Sequence, residues 1–489
     1  MLNTGLHKQR RTMENKDYLE LFHTDLQSLE RLMGEARACG AGYVDFYFEC
    51  TGSMNLTIKD SVVSSGGCHE DFGVGIRVID GEKTGYAYCE TTDYQAMKQA
   101  LRAALAIRGG EEAIANMPIA RQILPNKSAG TELPAMVLNW MDADLNALAG
   151  ILKNIDLSIR HREPRTANVI GQLNGKVSRI MMYNSFGELC CEERPLGSIA
   201  LSAVFAGKNG RNINTTASLS YRSGVEMLDG NLPNILTDKL TADLDEKFEA
   251  IRPKGGSMPV VMGAGASGIL LHEAMGHAFE ADFNRKGQSI FSESMGKRIC
   301  PEGITIIDDG TIPLNRGSNL YDDEGVVSQK TVLVENGILT SYMHDRISAS
   351  YYGVSPTGNG RRENFRNNPI PRMRATYMDS GKYTREEIIA SVKYGLYVDE
   401  FSNGQVNIGE GDFTFYVRSG HLIENGRLTT PVKDINIIGN GPEALGRISM
   451  VANDLKIDNG AWTCGKDQSV PVSVGIPTVR IDSLAVGGE

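Results

Sequence analysis

The chain has 489 residues, more than one hydrophobic core usually supports, so two or three domains are expected. Hydrophobic residues at 41% and charged residues at 22% are ordinary for a globular protein, and no apolar run approaches the ~18–20 residues of a membrane span. A net charge of −10 argues against a nucleic-acid backbone as partner, so neither nucleic acid nor membrane is expected.

The opening residues through Lys16 read as a polar tail, because Arg10-Arg11 is not followed by the apolar segment of an export signal; Met13 is an alternative start. Over 17–38, Tyr18, Leu19, Leu21, Phe22, Leu26, Leu29, Leu32 and Met33 recur at helical spacing. Short strands follow at 44–48, 54–58, 74–79 and 85–88, broken by glycine turns, and then a helix over 94–107. Residues 109–132, with Pro118 and Pro125, read as a connection. A second block repeats the layout, with a helix over 141–160 and strands near 169–173, 179–183, 188–193, 199–206 and 215–221. No residue-level repeat links the two blocks. A helix over 235–251 leads to Arg252-Pro253-Lys254-Gly255-Gly256, the best domain boundary. Beyond 283 the chain is strands and loops, including hairpins turned by Asn336-Gly337 and Asn425-Gly426.

The expected fold is therefore α+β. An N-terminal domain at 17–251, with sub-blocks at 17–110 and 130–251, packs helices on antiparallel sheets. A β-rich domain at 252–489 carries one central helix near 266–281. The eight cysteines form no C-x-x-C pair, which fits reduced thiols in the cytoplasm.

That central helix bears His272-Glu273-Ala274-Met275-Gly276-His277. Two imidazoles bracketing a carboxylate are the residue types that hold a divalent transition metal and take a proton from water. The spacing differs from His-Glu-x-x-His. Residues four apart lie about 40° apart around an α-helix, whereas five apart gives about 140°. A π-type turn, or a break near Gly276, is needed to bring both rings to one ion.

The preceding Gly263-Ala264-Gly265-Ala266-Ser267-Gly268 follows an apolar strand and matches a dinucleotide-binding loop. It lacks the second strand ending in an acidic residue about 20 positions on, and no alternation of strand and helix follows. The glycines are better read as allowing close backbone packing, and no organic cofactor is expected.

A catalytic centre of this type takes a third protein ligand. Glu280, Asp282, His344, His421 and any cysteine are candidates. Cys464, in the glycine-bounded Trp462-Thr463-Cys464-Gly465-Lys466, stands out by context, with Lys466 or the metal as the positive charge that favours a thiolate.

The chain resembles the TldD/PmbA family of peptide-processing metalloproteases, once named as modulators of DNA gyrase. The likeness covers nearly the whole chain. It is carried by residues 272–287, by Ser355-Pro356-Thr357-Gly358-Asn359-Gly360-Arg361-Arg362, by Ile438-Gly439-Asn440-Gly441-Pro442-Glu443, and by Cys464-Gly465-Lys466 with Val470-Pro471-Val472. The resemblance implies His272, His277 and Cys464 as metal ligands and Glu273 as the catalytic carboxylate. It also implies a motif-bearing TldD-type subunit that pairs with itself or with a TldE/PmbA-type paralogue and acts on flexible peptides and microcin precursors. The family's Cys-Gly-Lys-x-Gly-Gln appears here as Cys464-Gly465-Lys466-Asp467-Gln468, without the second glycine, which implies a shorter loop.

Beside this, Glu280 and Asp282 are expected to orient a histidine N–H. Asn359, Arg361 and Arg362 are expected in a loop that closes over the peptide or meets a carboxylate. An unfolded peptide would pair along an exposed strand. Zinc suits two imidazoles and a thiolate, with iron as the alternative. The non-enzymatic alternative is a closed structural metal centre in a peptide-binding or regulatory protein.

Overall fold

The computed structural model describes residues 13–108, 122–123, 133–407 and 409–487. Residues 1–12 of the expected tail, and all of the expected connection at 109–132 but 122–123, lie outside the described residues. The helical spacing over 17–38 resolves into α1 (Asn15–Leu21) and α2 (Leu26–Ala38). His23 sits in the left-handed region at φ 48°, and Asp25 accepts from the Ser28 N–H at 2.7 Å to start the second helix.

The short strands expected next are longer than predicted. Strands β1 (Tyr43–Lys59), β2 (Val62–Asp80) and β3 (Lys83–Cys89) precede α3 (Tyr94–Arg108). The two-residue β4 (Gln122–Ile123) comes before α4 (Leu145–Arg162), and β5 (Thr166–Asn184), β6 (Glu188–Ala206) and β7 (Asn212–Tyr221) follow. Both sequence blocks feed one 7-stranded sheet in which β1 lies against β5.

The alternation of β1 explains the layering. Val44, Phe46 and Phe48 point into a core with α1, α2 and α3. Met54, Leu56 and Ile58, on the same face by the period of two, meet α4 and α5 (Leu232–Thr241). The helix expected over 235–251 breaks where Asp243 adopts φ 53°, and α6 (Leu244–Glu249) follows.

The other face of this sheet packs on the C-terminal part. Tyr47, Ile180, Met182 and Cys190 meet Tyr321 and Phe365. Buried charge ties the same seam: Arg77 Nη1 reaches Glu324 at 2.6 Å and pairs with Asp45, and Arg194 pairs with Asp323.

In the C-terminal part, β8 (Gly256–Met262) lies parallel to Tyr394–Val406 and antiparallel to Val479–Gly487. Through Ile435–Asn440 and Asp412–Glu424 the sheet returns to Tyr394–Val406 and closes a barrel. A 6-stranded sheet centred on Ile306–Asp309, Ala375–Met378 and Ser473–Ile476 stands beside it. The helical segment after β8 is wedged between the two, with Leu270, Leu271 and Phe279 in their shared core. It is not the only helix of this part: Arg346–Tyr352, Arg385–Ala390 and Gly441–Gly446 are too short for their periodicity to show in sequence. Both Asn-Gly turns have the positive φ of the hairpin type expected.

Candidate metal centre

The glycine loop before the motif serves packing. Gly265 takes φ 98°, and a Cβ on Gly268 would lie 2.6 Å from the Gly475 nitrogen, so the helical segment presses directly on a strand backbone. Neither neighbour of β8 is part of a strand-helix-strand unit of the dinucleotide-binding kind.

The five-residue spacing is met by a π-turn over His272–Gly276, in which the His277 N–H donates to the His272 carbonyl. Gly276 is required there because Met373 fills the space of a side chain: a Cβ would lie 2.1 Å from its sulfur. The two rings meet edge to face, centroids 5.1 Å apart.

Cys464 arrives from the hairpin Thr463–Lys466 and Gln468–Pro471. Asp467 alone turns it, in the left-handed region at φ 56°, which is how the chain manages without the second glycine. Cys464 Sγ lies 3.1 Å from His272 Nε2 and 3.2 Å from His277 Nε2, and the three donor atoms lie within 4.8 Å of one another. All three residues are buried.

The donors fit a metal ion. Tetrahedral metal–sulfur and metal–nitrogen bonds of about 2.3 and 2.0 Å place N and S roughly 3.5 Å apart, so an opening of a few tenths of an ångström accommodates the ion. His277 Nδ1 meets Glu280 Oε2 at 3.0 Å, the outer partner a metal-binding histidine needs.

The electrostatics agree. Burial pushes the Cys464 thiol up, but hydrogen bonds and charge from His272 and His277 outweigh it and bring it down to about 5. Burial would raise Glu280, yet Lys466, His277 and Arg372 hold it ionised, down to about 2. Half-buried Glu273 moves the other way: burial raises its pKa, against the charge of both histidines.

Family models described as PmbA/TldA metallopeptidase domain 1 and PmbA/TldA metallopeptidase C-terminal domain match residues 44–108 and 255–488. A Haemophilus influenzae protein named Metalloprotease TldD homolog is 37% identical over 452 residues, covering 91% of this chain and 93% of that protein. The chain belongs to the PmbA/TldD family of metallopeptidases. A Saccharolobus solfataricus relative named Zinc metalloprotease TldD homolog is 37% identical over 238 residues, 48% of this chain and 53% of that protein. The solved structure of TldE from Thermococcus kodakarensis has the same fold, with a TM-score of 0.74 at 19% identity, covering 94% of this chain and 100% of that one.

In this PmbA/TldD chain the remaining candidate residues fall in different places. Glu280 meets a donor histidine, but Asp282 does not: its Oδ1 receives Lys466 Nζ at 2.7 Å. Lys466 also lies 3.0 Å from Glu280 Oε2, so its charge is placed against these two carboxylates. His344 packs against Tyr342 and Tyr352, and burial lowers its pKa to about 4. His421 lies between Asp399 and Glu246.

The expected substrate loop is a buried brace. Asn359 Nδ2 donates to Asp308 Oδ2 at 2.7 Å, Arg361 Nη1 donates to the Met373 carbonyl, and the Arg362 N–H donates to Asp323 Oδ2 at 2.8 Å. Asp308 and Asp323 draw these polar groups inside, so the loop has no free surface with which to close over a peptide.

Sequence reasoning missed Arg372, which donates to the Cys464 carbonyl at 2.7 Å and lies 3.7 Å from Glu280. No motif spacing announces it. A cleft of about 1050 Å³ opens between β7, α6 and the barrel, reaching Ala264, Ala266 and Trp462; none of His272, Glu273, His277 or Cys464 lines it.

Proposed function

We propose that this metallopeptidase hydrolyses unfolded or flexible peptides in the cytoplasm, with one zinc ion held by His272, His277 and Cys464. The observation that carries the reading is the π-turn that brings both Nε2 atoms to Cys464 Sγ. The zinc named for the Saccharolobus relative supports the metal, and the thiolate with two imidazoles suits it. When bound, the ion supplies Lewis-acid polarisation of the scissile carbonyl and lowers the pKa of water.

The chain's own groups do the rest. Glu273, its pKa raised by burial, takes the proton of the attacking water at its carboxylate and passes it to the departing amine. Glu280 fixes the His277 ring with Nε2 toward the centre. Lys466 and Arg372 keep Glu280 ionised, and Arg372 also anchors the Cys464 carbonyl. The reading includes a second subunit, either another copy or a TldE/PmbA-type paralogue.

The test compares metal content and casein hydrolysis of wild type and Glu273→Gln, each alone and mixed with the paralogue. Stoichiometric metal in both with cleavage by wild type alone supports the reading. Metal in both with no cleavage under any pairing replaces it with a structural centre.

A further inference from the structure

Of the three donors, Cys464 alone stands off the helical segment, on a two-stranded hairpin outside both larger sheets. Among the described residues, the only group outside that hairpin bonding the backbone of Thr463–Lys466 is the Arg372 guanidinium. Its Nη2 donates to the Cys464 carbonyl at 2.7 Å and its Nη1 to the Gln468 carbonyl at 2.8 Å, so one planar fork holds both strands. The carbonyl carbon and Cβ of Cys464 share one Cα. Holding that carbonyl within a paired strand therefore sets the direction in which the thiol leaves the backbone.

Arg372 is itself held by the glycine- and arginine-rich stretch. Gly360–Arg361 pairs with Ile370–Pro371, and the pairing runs on as the Arg372 N–H donates to the Asn359 carbonyl at 2.9 Å. Asn359 Nδ2 donates to the Arg372 carbonyl at 3.0 Å and to Asp308 Oδ2 at 2.7 Å. Asp308 stands on the strand Ile306–Asp309, where its Oδ1 accepts from the Arg374 N–H and the Thr376 hydroxyl. Asp308, Asn359 and Arg372 are all buried. A continuous line of hydrogen bonds thus runs from the 6-stranded sheet through Asp308, Asn359 and Arg372 to Cys464. Glu280, 3.7 Å from Arg372 Nε, links the same guanidinium to the ring of His277.

We propose that Arg372 is the positioning residue that makes Cys464 a metal ligand, and that Asn359 serves the centre by holding Arg372. This rests on the metal site of the reading above and deepens it. The two imidazoles are set by the π-turn and need no such support, so without the Arg372 fork the centre keeps two donors and loses the third. A lysine in its place keeps a positive charge beside Glu280 but carries all its donors on one atom, without the fork that spans two strands. Charge beside Glu280 and grip on the hairpin are therefore separable.

The experiment loads the full chain with cobalt(II), whose bond to a thiolate gives a near-ultraviolet charge-transfer band, and measures affinity by competition with a chelator. At saturating cobalt, wild type is expected to show the band and Cys464→Ser to lack it. Arg372→Lys is expected to lose most of the band and to bind cobalt about 10–100-fold more weakly. Asn359→Ala should move both readings the same way by less, and Glu280→Gln, which leaves the grip on the hairpin, should keep the band. Melting temperatures confirm the fold of each variant. A full band with wild-type affinity in folded Arg372→Lys overturns the proposal. So does an equal loss of the band in Glu280→Gln, which would place the effect in the charge. Should Arg372→Lys fail to fold, Asn359→Ala decides by the same band. No band in wild type, or one that survives Cys464→Ser, removes Cys464 from the ligands and overturns the metal site and this inference together. An intact band in wild type with no peptide cleavage sinks the peptidase reading alone.

Discussion

His277 and Glu280, three residues apart, meet through Nδ1 and Oε2 at 3.0 Å, because the chain leaves the π-turn by a short 3-10 turn and becomes extended at Glu280. Nε2 of the same ring faces Cys464 Sγ, so Nδ1 carries the proton and donates to Glu280. The carboxylate is fully buried and neutralised by Lys466.

Glu280→Gln keeps the shape but removes the charge that makes the imidazole a better ligand. Metal affinity is expected to fall about 10–100-fold. Competition with a chromophoric chelator measures it, and hydrolysis at saturating metal should fall by much less. Unchanged affinity would reduce Glu280 to a packing role.

Gly276→Ala drives a methyl group into Met373, whose sulfur lies 2.1 Å from the Cβ position. A destabilisation of about 1–3 kcal/mol is expected from such overpacking, with loss of bound metal as the π-turn shifts. Denaturant melts and metal analysis check both. Adding Met373→Ala should restore part of the metal binding, since it removes the clashing atom.

Arg362 crosses the seam between the two parts, with its guanidinium 4.1 Å from the centre of the Tyr47 ring and Nη2 donating to the Asp323 carbonyl at 2.8 Å. Arg362→Ala is expected to cost about 3 kcal/mol, the range for breaking a buried charged network. KM for peptide should hold in whatever protein folds. A raised KM with unchanged stability would return Arg362 to the substrate loop that its sequence suggested.

The limits of sequence reading show at particular residues. Helical spacing at 94–107 and 141–160 appears in the structure nearly as read, because amphipathic faces cover one sheet. The strands were read as short because Gly52 and Gly175 look like turns. Both lie within long strands, where a Cβ would fall 2.8 Å from Met141 and 2.3 Å from the Trp140 ring, so they are sockets for those side chains. The His272/His277 pair and the need for a π-turn follow from spacing alone. Cys464 does not, since the hairpin that brings it back is a tertiary event 187 residues from His277. The burial of Asn359, Arg361 and Arg362 is illegible for the same reason: the partners that draw them inside, Asp308 and Asp323, are 51 and 39 residues away.

The clasp at His421 gives a pH dependence. Its Nδ1 lies 2.8 Å from Asp399 and its Nε2 3.0 Å from Glu246 on α6, so the ring joins the barrel to the N-terminal part across the cleft. The hydrogen bond to Asp399 raises its pKa most, burial opposes, and Glu246 adds to the rise, to about 9. In the unfolded chain the value is about 6.5. The folded protein thus holds the proton more tightly, and the stabilisation is complete below about pH 6.5 and lost as pH rises through about 9. Glu246 and Asp399 are 56% and 38% exposed, so solvent screening limits the effect to about 1 kcal/mol. Urea unfolding of wild type and His421→Gln at pH 6 and pH 9.5 reads it directly. The stability gap between the two proteins is expected to shrink toward zero at the higher pH, whereas a constant gap would mean that His421 contributes by packing and not by its charge.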